Sequence, residues 1–153
     1  MKIRNAKPED ARAIAELMCA IDDHSHWKEK GADWFENHIR NSLALAHDQR
    51  LVLVAELEQR IVGYAAVYWL QPFFQGFEGY VHELFVRSDA SGHGIGSALL
   101  ETIKTEASLK GCVRLTLVNG TNTESYKRGF YTKKGWRERA ETIRFDLSFE
   151  VTP

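Results

Sequence analysis

The sequence predicts an α/β fold: a mixed, mostly antiparallel central sheet flanked by helices, in a single domain. Three observations carry that prediction. Short alternating or β-branched stretches are interleaved with segments whose apolar residues recur every three and four positions. Two hydrophobic strands, Leu51–Leu57 and Ile61–Trp69, are joined only by Glu58-Gln59-Arg60, which is a hairpin connection. A third strand, Tyr80–Val86, leads through a glycine-rich turn directly into a helix.

In chain order, Met1–Asn5 alternates weakly and makes an edge strand. Pro8 suits the first turn of a helix, and Glu9 and Asp10 complement its dipole. Ala11, Ile14, Leu17, Met18 and Ile21 form its apolar stripe, and the polar segment Asp22–Trp27 breaks it. A second helix is expected over Asp33–Ala46 with Trp34, Ile39, Leu43 and Leu45 turned inward. Within the hairpin, Gly63 implies a bulge or close packing. Pro72–Phe77 is an aromatic loop, suited to contact a ligand or second subunit or to fold onto its own core. After the central strand and the polar turn Arg87–Ser91, a helix carries Ile95, Leu99, Ile103 and Ala107 on one stripe and stops at Lys110-Gly111. Val113, Leu115 and Leu117 alternate with Arg114 and Thr116, as in a half-buried strand. Thr121 and Glu124 make a capping box for another helix. Ile143, Phe145, Leu147 and Phe149 then predict a last antiparallel strand with one wet face. The expected order is β-α-α-β-β-β-α-β-α-β.

The 153 residues suit one domain over 1–153, and a net charge of −1 with mixed signs gives no footprint for nucleic acid or an anionic membrane. The N-terminal MKIRNAKPED lacks the apolar core of a secretory signal, and no run approaches the roughly 18 apolar residues of a membrane span. Cys19 and Cys112 stand alone, which suggests a reducing, cytoplasmic setting. His24 and His26 beside Asp22 and Asp23 read either as a metal site or as a polar loop between helices. Nothing later supplies matching ligands, so no metal is expected.

The chemistry concentrates in Gly92-His93-Gly94-Ile95-Gly96. Strand, glycine loop and helix N-terminus make an anion site, because close backbone approach, free N–H groups and the helix dipole all favour a phosphate. A dinucleotide fingerprint fails, since its third glycine falls on Ser97 or Leu99, and no lysine completes a P-loop. The segment Leu84-Phe85-Val86 followed by Ser91-Gly92-His93-Gly94-Ile95-Gly96 instead resembles the pyrophosphate loop of the GNAT superfamily of acyl-CoA-dependent N-acyltransferases, R/Q-x-x-G-x-G/A. Ser91 stands where that family usually has Arg or Gln. The resemblance implies acetyl-CoA as cosubstrate, held by Leu84, Phe85, Val86, Ser91, Gly92, His93, Gly94, Ile95, Gly96 and Ser97.

A second motif, Phe130-Tyr131 followed by Gly135-Trp136, is similar to the one that follows the fifth strand of such enzymes. It implies that Tyr131 contacts the cofactor and protonates the departing thiolate. The family's asparagine position falls on Glu124, which leaves Asn122 as the implied cofactor contact and Asn119 as an alternative. Gly129, expected inside that helix at a cost of about 1 kcal/mol, suggests close approach of a backbone or cofactor.

The family's reaction, acetyl transfer to an amine, has few physical requirements. An alkyl amine with a pKa near 10 must lose a proton to a base. The oxyanion needs donors, for which a backbone N–H at the bulged end of the central strand, around Phe85–Val86, is available. His82 and Glu83 are the candidate bases; as strand neighbours they should face opposite ways, and either is apt. Asp22, Asp23, Asp33, Glu36 and Glu78 hint at a cationic acceptor, as in the polyamine and small-amine branch. The implied function is acetyl transfer to a primary amine of a small molecule, polyamine or basic amino-acid-like, by direct attack in a ternary complex. A non-catalytic acyl-CoA sensor and an enzyme acting on protein N-termini or aminoglycosides are the alternatives. The aromatic loop or the last strand offers a surface for a homodimer.

Overall fold

Five strands form one sheet in chain order: β1 (Lys2–Asn5), β2 (Arg50–Leu57), β3 (Arg60–Leu70), β4 (Glu78–Val86) and β5 (Arg114–Leu117). The first four pair antiparallel, and β4 pairs parallel with β5. The helices are α1 (Ala11–Cys19), preceded by a 3-10 turn at Pro8–Asp10, α2 (Gly31–Ala44), α3 (Ile95–Leu109) and α4 (Glu124–Lys127). This computed structural model describes residues 1–20, 30–45 and 48–147. The chain divides into two compact units, Met1–Val118 and Asn119–Pro153. The predicted fold class is the one found.

In the first unit, the β2–β3 turn places Glu58 and Gln59 at φ 50° and 65°, the doubly left-handed geometry whose twist matches paired strands. One face of the sheet meets α1 and α2 through a core of Ile14, Leu17, Val54, Ile61 and Tyr64. The other meets α3, whose Ile95, Leu99, Leu100 and Ile103 are at most 2% exposed. Each such side chain contributes about 1.5–3 kcal/mol of burial. Arg4 ties β1 to the entry of α1: its guanidinium holds both Asp10 oxygens at 2.7 and 2.9 Å and reaches Glu56 at 2.9 Å. That contact keeps the Asp10 carboxyl below the usual carboxylate range. Among the described residues no helix is long and apolar enough to cross a membrane.

Several local expectations change. The second helix starts two residues early, at Gly31, and buries Phe35 (8% exposed), while Trp34 and Leu45 are 40% and 60% exposed. In the second unit, α4 is a single turn capped by Thr123, whose hydroxyl accepts from the Tyr126 N–H at 3.2 Å, so the Thr121 capping box does not form. Gly129 sits at φ 63° and closes that turn; it lies outside the helix, its left-handed backbone calls for glycine, and an added Cβ would also come 3.0 Å from Thr132 Oγ1. Tyr131 therefore leads into a 3-10 turn, Thr132–Lys134, instead of sharing a helix with Phe130. The predicted last strand is not formed where it is described. Ile143, Phe145 and Leu147 are 77%, 89% and 80% exposed, since alternation without a ladder partner does not make a strand. Phe149 lies outside the described residues, as does the Asp22/Asp23/His24/His26 cluster.

Candidate active site

The site is built around an irregularity in β4. Ala66 of β3 pairs with Glu83, and Val67 pairs with Val81, so His82 is the extra residue of a β-bulge. The sequence placed that bulge later, near Phe85–Val86. Its consequence is that His82 and Glu83 share one face instead of pointing apart. The His82 ring lies edge-on to Tyr68 and Tyr80, at 5.8 and 5.5 Å between centroids. Its Nδ1 is 3.6 Å from Glu83 Oε1, and Glu83 lines the same pocket as Ala66 and Tyr68. A regular strand would have separated the two candidate bases; the bulge joins them.

β5 pairs with β4 only over Glu78–Val81, so the β4–β5 ladder ends before residues 82–86. On the face where Glu83 lies, α1, α2 and strands β2–β4 enclose a pocket of about 390 Å³. Phe35, Tyr64 and Ala66 form its buried floor, Met18, Ile39 and Leu43 its walls, and Trp34, His38 and Tyr68 its exposed rim. Trp34 and His38 stack in parallel, 5.4 Å apart. Arg50 also lines the pocket, but its guanidinium donates to the Ser42 carbonyl at 2.6 Å and to the Ser42 hydroxyl. The Tyr64 hydroxyl is buried without a hydrogen-bond partner, and burial together with the charge of Glu83 pushes the phenol well above its ordinary pKa.

Of the acids expected to border the acceptor, Asp33, Glu36 and Glu78 do not line this pocket, and Asp22 and Asp23 lie outside the described residues. Asp33 pairs with Arg12 at 2.6 Å, and Glu36 pairs with Arg40 at 2.6 Å and Arg12 at 3.3 Å. Glu78 is buried beneath the parallel β4–β5 ladder and accepts from Arg114 at 2.8 and 3.0 Å. Glu83 is the one carboxylate lining the pocket among the described residues.

The glycine loop follows a 3-10 turn at Ser88–Ala90. Gly92 and Gly94 adopt φ 85° and 76°, where a side chain is strained, and a Cβ at either would project into open space. The first bond of α3 runs from the Ala98 N–H to the Gly94 carbonyl at 2.9 Å, which leaves the N–H groups of Ile95, Gly96 and Ser97 without intrahelical acceptors. Ile95 is buried and anchors the loop, Ser91 is exposed, and His93 folds its Nδ1 back to the Ser91 and Ala90 carbonyls at 3.1 and 3.3 Å. The N–H groups without intrahelical acceptors and the open left-handed backbone fit a diphosphate. Of the strand residues ahead of the loop, Phe85 packs against Tyr64 at 5.5 Å, and Leu84 and Val86 are half-buried.

Within the second unit, Tyr131 is packed edge-on by Phe130 at 5.0 Å and Trp136 at 6.1 Å. Burial raises its pKa, and the charge of Arg128 opposes that only in part. Asn122 is exposed. Asn119 is held instead, its Oδ1 accepting from Thr123 and Ser125, while its buried Nδ2 has no partner. Asn119, Tyr64 and Tyr68 are the residues sequence reasoning underweighted. The two tyrosines sit four apart on a strand and so share a face, a signal present in the sequence.

Comparisons with known proteins agree with this geometry. Archaeoglobus fulgidus has an uncharacterized N-acetyltransferase that is 30% identical over 107 residues, covering 66% of this chain and 69% of the relative. A transcriptional regulator from Bacillus halodurans superposes with a TM-score of 0.80 at 22% identity, covering 97% of this chain and 99% of that one. Glucosamine-6-phosphate N-acetyltransferase from Arabidopsis thaliana superposes with a TM-score of 0.74 at 20% identity, over 97% and 98% of the two chains. These two likenesses establish the fold. The acetyltransferase (GNAT) family matches residues 13–136, so the match runs from α1 through the glycine loop to Trp136. With a bulged β4 that runs past the end of the β5 ladder and a left-handed glycine loop opening α3, the chain belongs to the acetyltransferase (GNAT) family and is an acyltransferase.

Proposed function

We propose that the protein transfers the acetyl group of acetyl-CoA directly to the primary amine of a small molecule, in a ternary complex. The observation that carries this reading is Glu83, set by the β4 bulge at the wall of the pocket, on the stretch of β4 that runs past the end of the β5 ladder. Acetyl-CoA, when bound, supplies the activated acetyl thioester. Gly92, Gly94 and the free N–H groups of Ile95, Gly96 and Ser97 hold its diphosphate, and the edge of β4 at Leu84, Phe85 and Val86 lies against its arm. Asn119, with its orphaned buried amide, is better suited to a cofactor contact than exposed Asn122.

Glu83 takes the proton from the incoming ammonium, and His82 beside it passes the proton to solvent. The neutral nitrogen then forms the N–C bond as the C–S bond breaks. A backbone N–H of the bulged strand faces the charge developing on the acetyl oxygen. Tyr131, whose raised pKa keeps it protonated at neutral pH, gives its proton to the sulfur. The incoming ammonium loses two protons, one to Glu83 before attack and a second as the N–C bond forms; the second balances the proton that Tyr131 gives to the sulfur, and the first leaves to solvent. The setting is a reducing cytoplasm, in keeping with Cys19 and Cys112 as free thiols. The exposed Phe73 and Phe74 of the aromatic loop favour a homodimer over a lone chain.

Glu83→Gln should lower turnover by about 10²–10⁴-fold at neutral pH, with acetyl-CoA binding intact. The deficit should shrink as pH nears the amine's own value of about 10, where free amine no longer needs a base. Turnover equal to the native protein at pH 7 would remove Glu83 as base. Tyr131→Phe should lower kcat with little change in acetyl-CoA affinity.

A further inference from the structure

We infer that the acceptor carries its amine on an apolar, aromatic-sized body that fills the pocket between α1, α2 and β2–β4 while its ammonium meets Glu83. This inference rests on the acetyl-transfer reading above. The lining decides the class. One described carboxylate faces the pocket, and the walls of Met18, Ile39 and Leu43 offer no polar atom to a second ammonium. A second ammonium set against those apolar walls would be desolvated, and it would lie near the cationic Arg50. Nor is a carboxylate-bearing acceptor called for, because Arg50 already donates to Ser42. The parallel Trp34–His38 pair at the rim, with Tyr68 beside it, supplies flat surfaces on which a ring can stack. The volume of about 390 Å³ lies at the small end of ligand pockets and suits one ring on a short chain.

The test measures CoA release with phenethylamine, tryptamine, methylamine, putrescine and spermidine. Calorimetric binding of phenethylamine to native protein and to Trp34→Ala is measured in parallel. Trp34 is 40% exposed, so its removal leaves the core intact. The expected result is a kcat/KM at least about tenfold higher for the aromatic amines than for putrescine or methylamine, a preference within the range that apolar pockets achieve. Trp34→Ala should weaken phenethylamine binding by about tenfold and leave the KM for acetyl-CoA unchanged. Preference for putrescine or spermidine overturns the inference while leaving acetyl transfer standing. CoA release with no amine overturns the transfer reading. In that case phenethylamine binding that weakens in Trp34→Ala still supports an aromatic amine ligand, and absence of such binding overturns it.

Discussion

Gly63 offers a sharp test of how β3 supports the site. It lies on the face opposite Tyr64, where an added Cβ would fall 2.8 Å from the Phe85 carbonyl oxygen, 3.3 Å from Ile95 Cγ2 and 3.4 Å from Val86 Cγ2. Real Cβ atoms essentially never approach within 3.0 Å, and the blocking atom here is backbone, which cannot rotate aside. Gly63→Ala must therefore push β4 away from β3 at Phe85 or shift the first residue of α3. Overpacking of this kind costs about 1–3 kcal/mol. For a chain of this size each kcal/mol lowers Tm by about 2–4 °C, so a fall of about 2–12 °C is expected. Both displaced groups flank the proposed acetyl-CoA site, so the KM for acetyl-CoA should rise as well. Calorimetry and initial rates read the two effects. An unchanged Tm with an unchanged KM would refute the claim that close backbone approach dictates glycine at this position.

Other perturbations separate binding from structure. Gly94→Asp puts a strained side chain and a negative charge in the phosphate cradle, and should abolish acetyl-CoA binding in a titration; retained affinity would remove the loop assignment. Glu78→Gln breaks a buried ion pair with Arg114 and should cost about 1–3 kcal/mol in denaturant unfolding, with the amine KM unchanged. A raised amine KM would return Glu78 to the acceptor site. Tyr64 is held neutral by burial, with its pKa well above the unfolded value near 10. Its contribution is therefore complete below pH 10 and is lost as pH rises through the folded value. Tyr64→Phe should flatten the alkaline fall in Tm above about pH 10 and, by removing an unpartnered buried hydroxyl, cost little at neutral pH.

Local chemistry was legible in the sequence by itself. Glycines at 92 and 94, between an aliphatic strand end and an apolar helical stripe, specify a left-handed turn into a helix whatever surrounds them, because only backbone conformation is needed. The β2–β3 hairpin and the stripes of α1 and α3 were equally readable, as periodicity is a property of neighbours in the chain. Tertiary structure decided everything that depends on partners distant in sequence. Whether His82 and Glu83 part or meet is set by one extra residue in the β3–β4 register, which no strand pattern encodes. Whether an acid waits for a cation or already has one was settled by Arg12, Arg40 and Arg114 arriving from other elements. The alternation at 143–147 promised a strand, but a strand exists only through its ladder, and these described residues pair with none. The loop thus follows from the residues that compose it. The pocket, with Glu83 as its one carboxylate among the described residues, follows from packing two helices against a bulged sheet, and only the folded chain contains that fact.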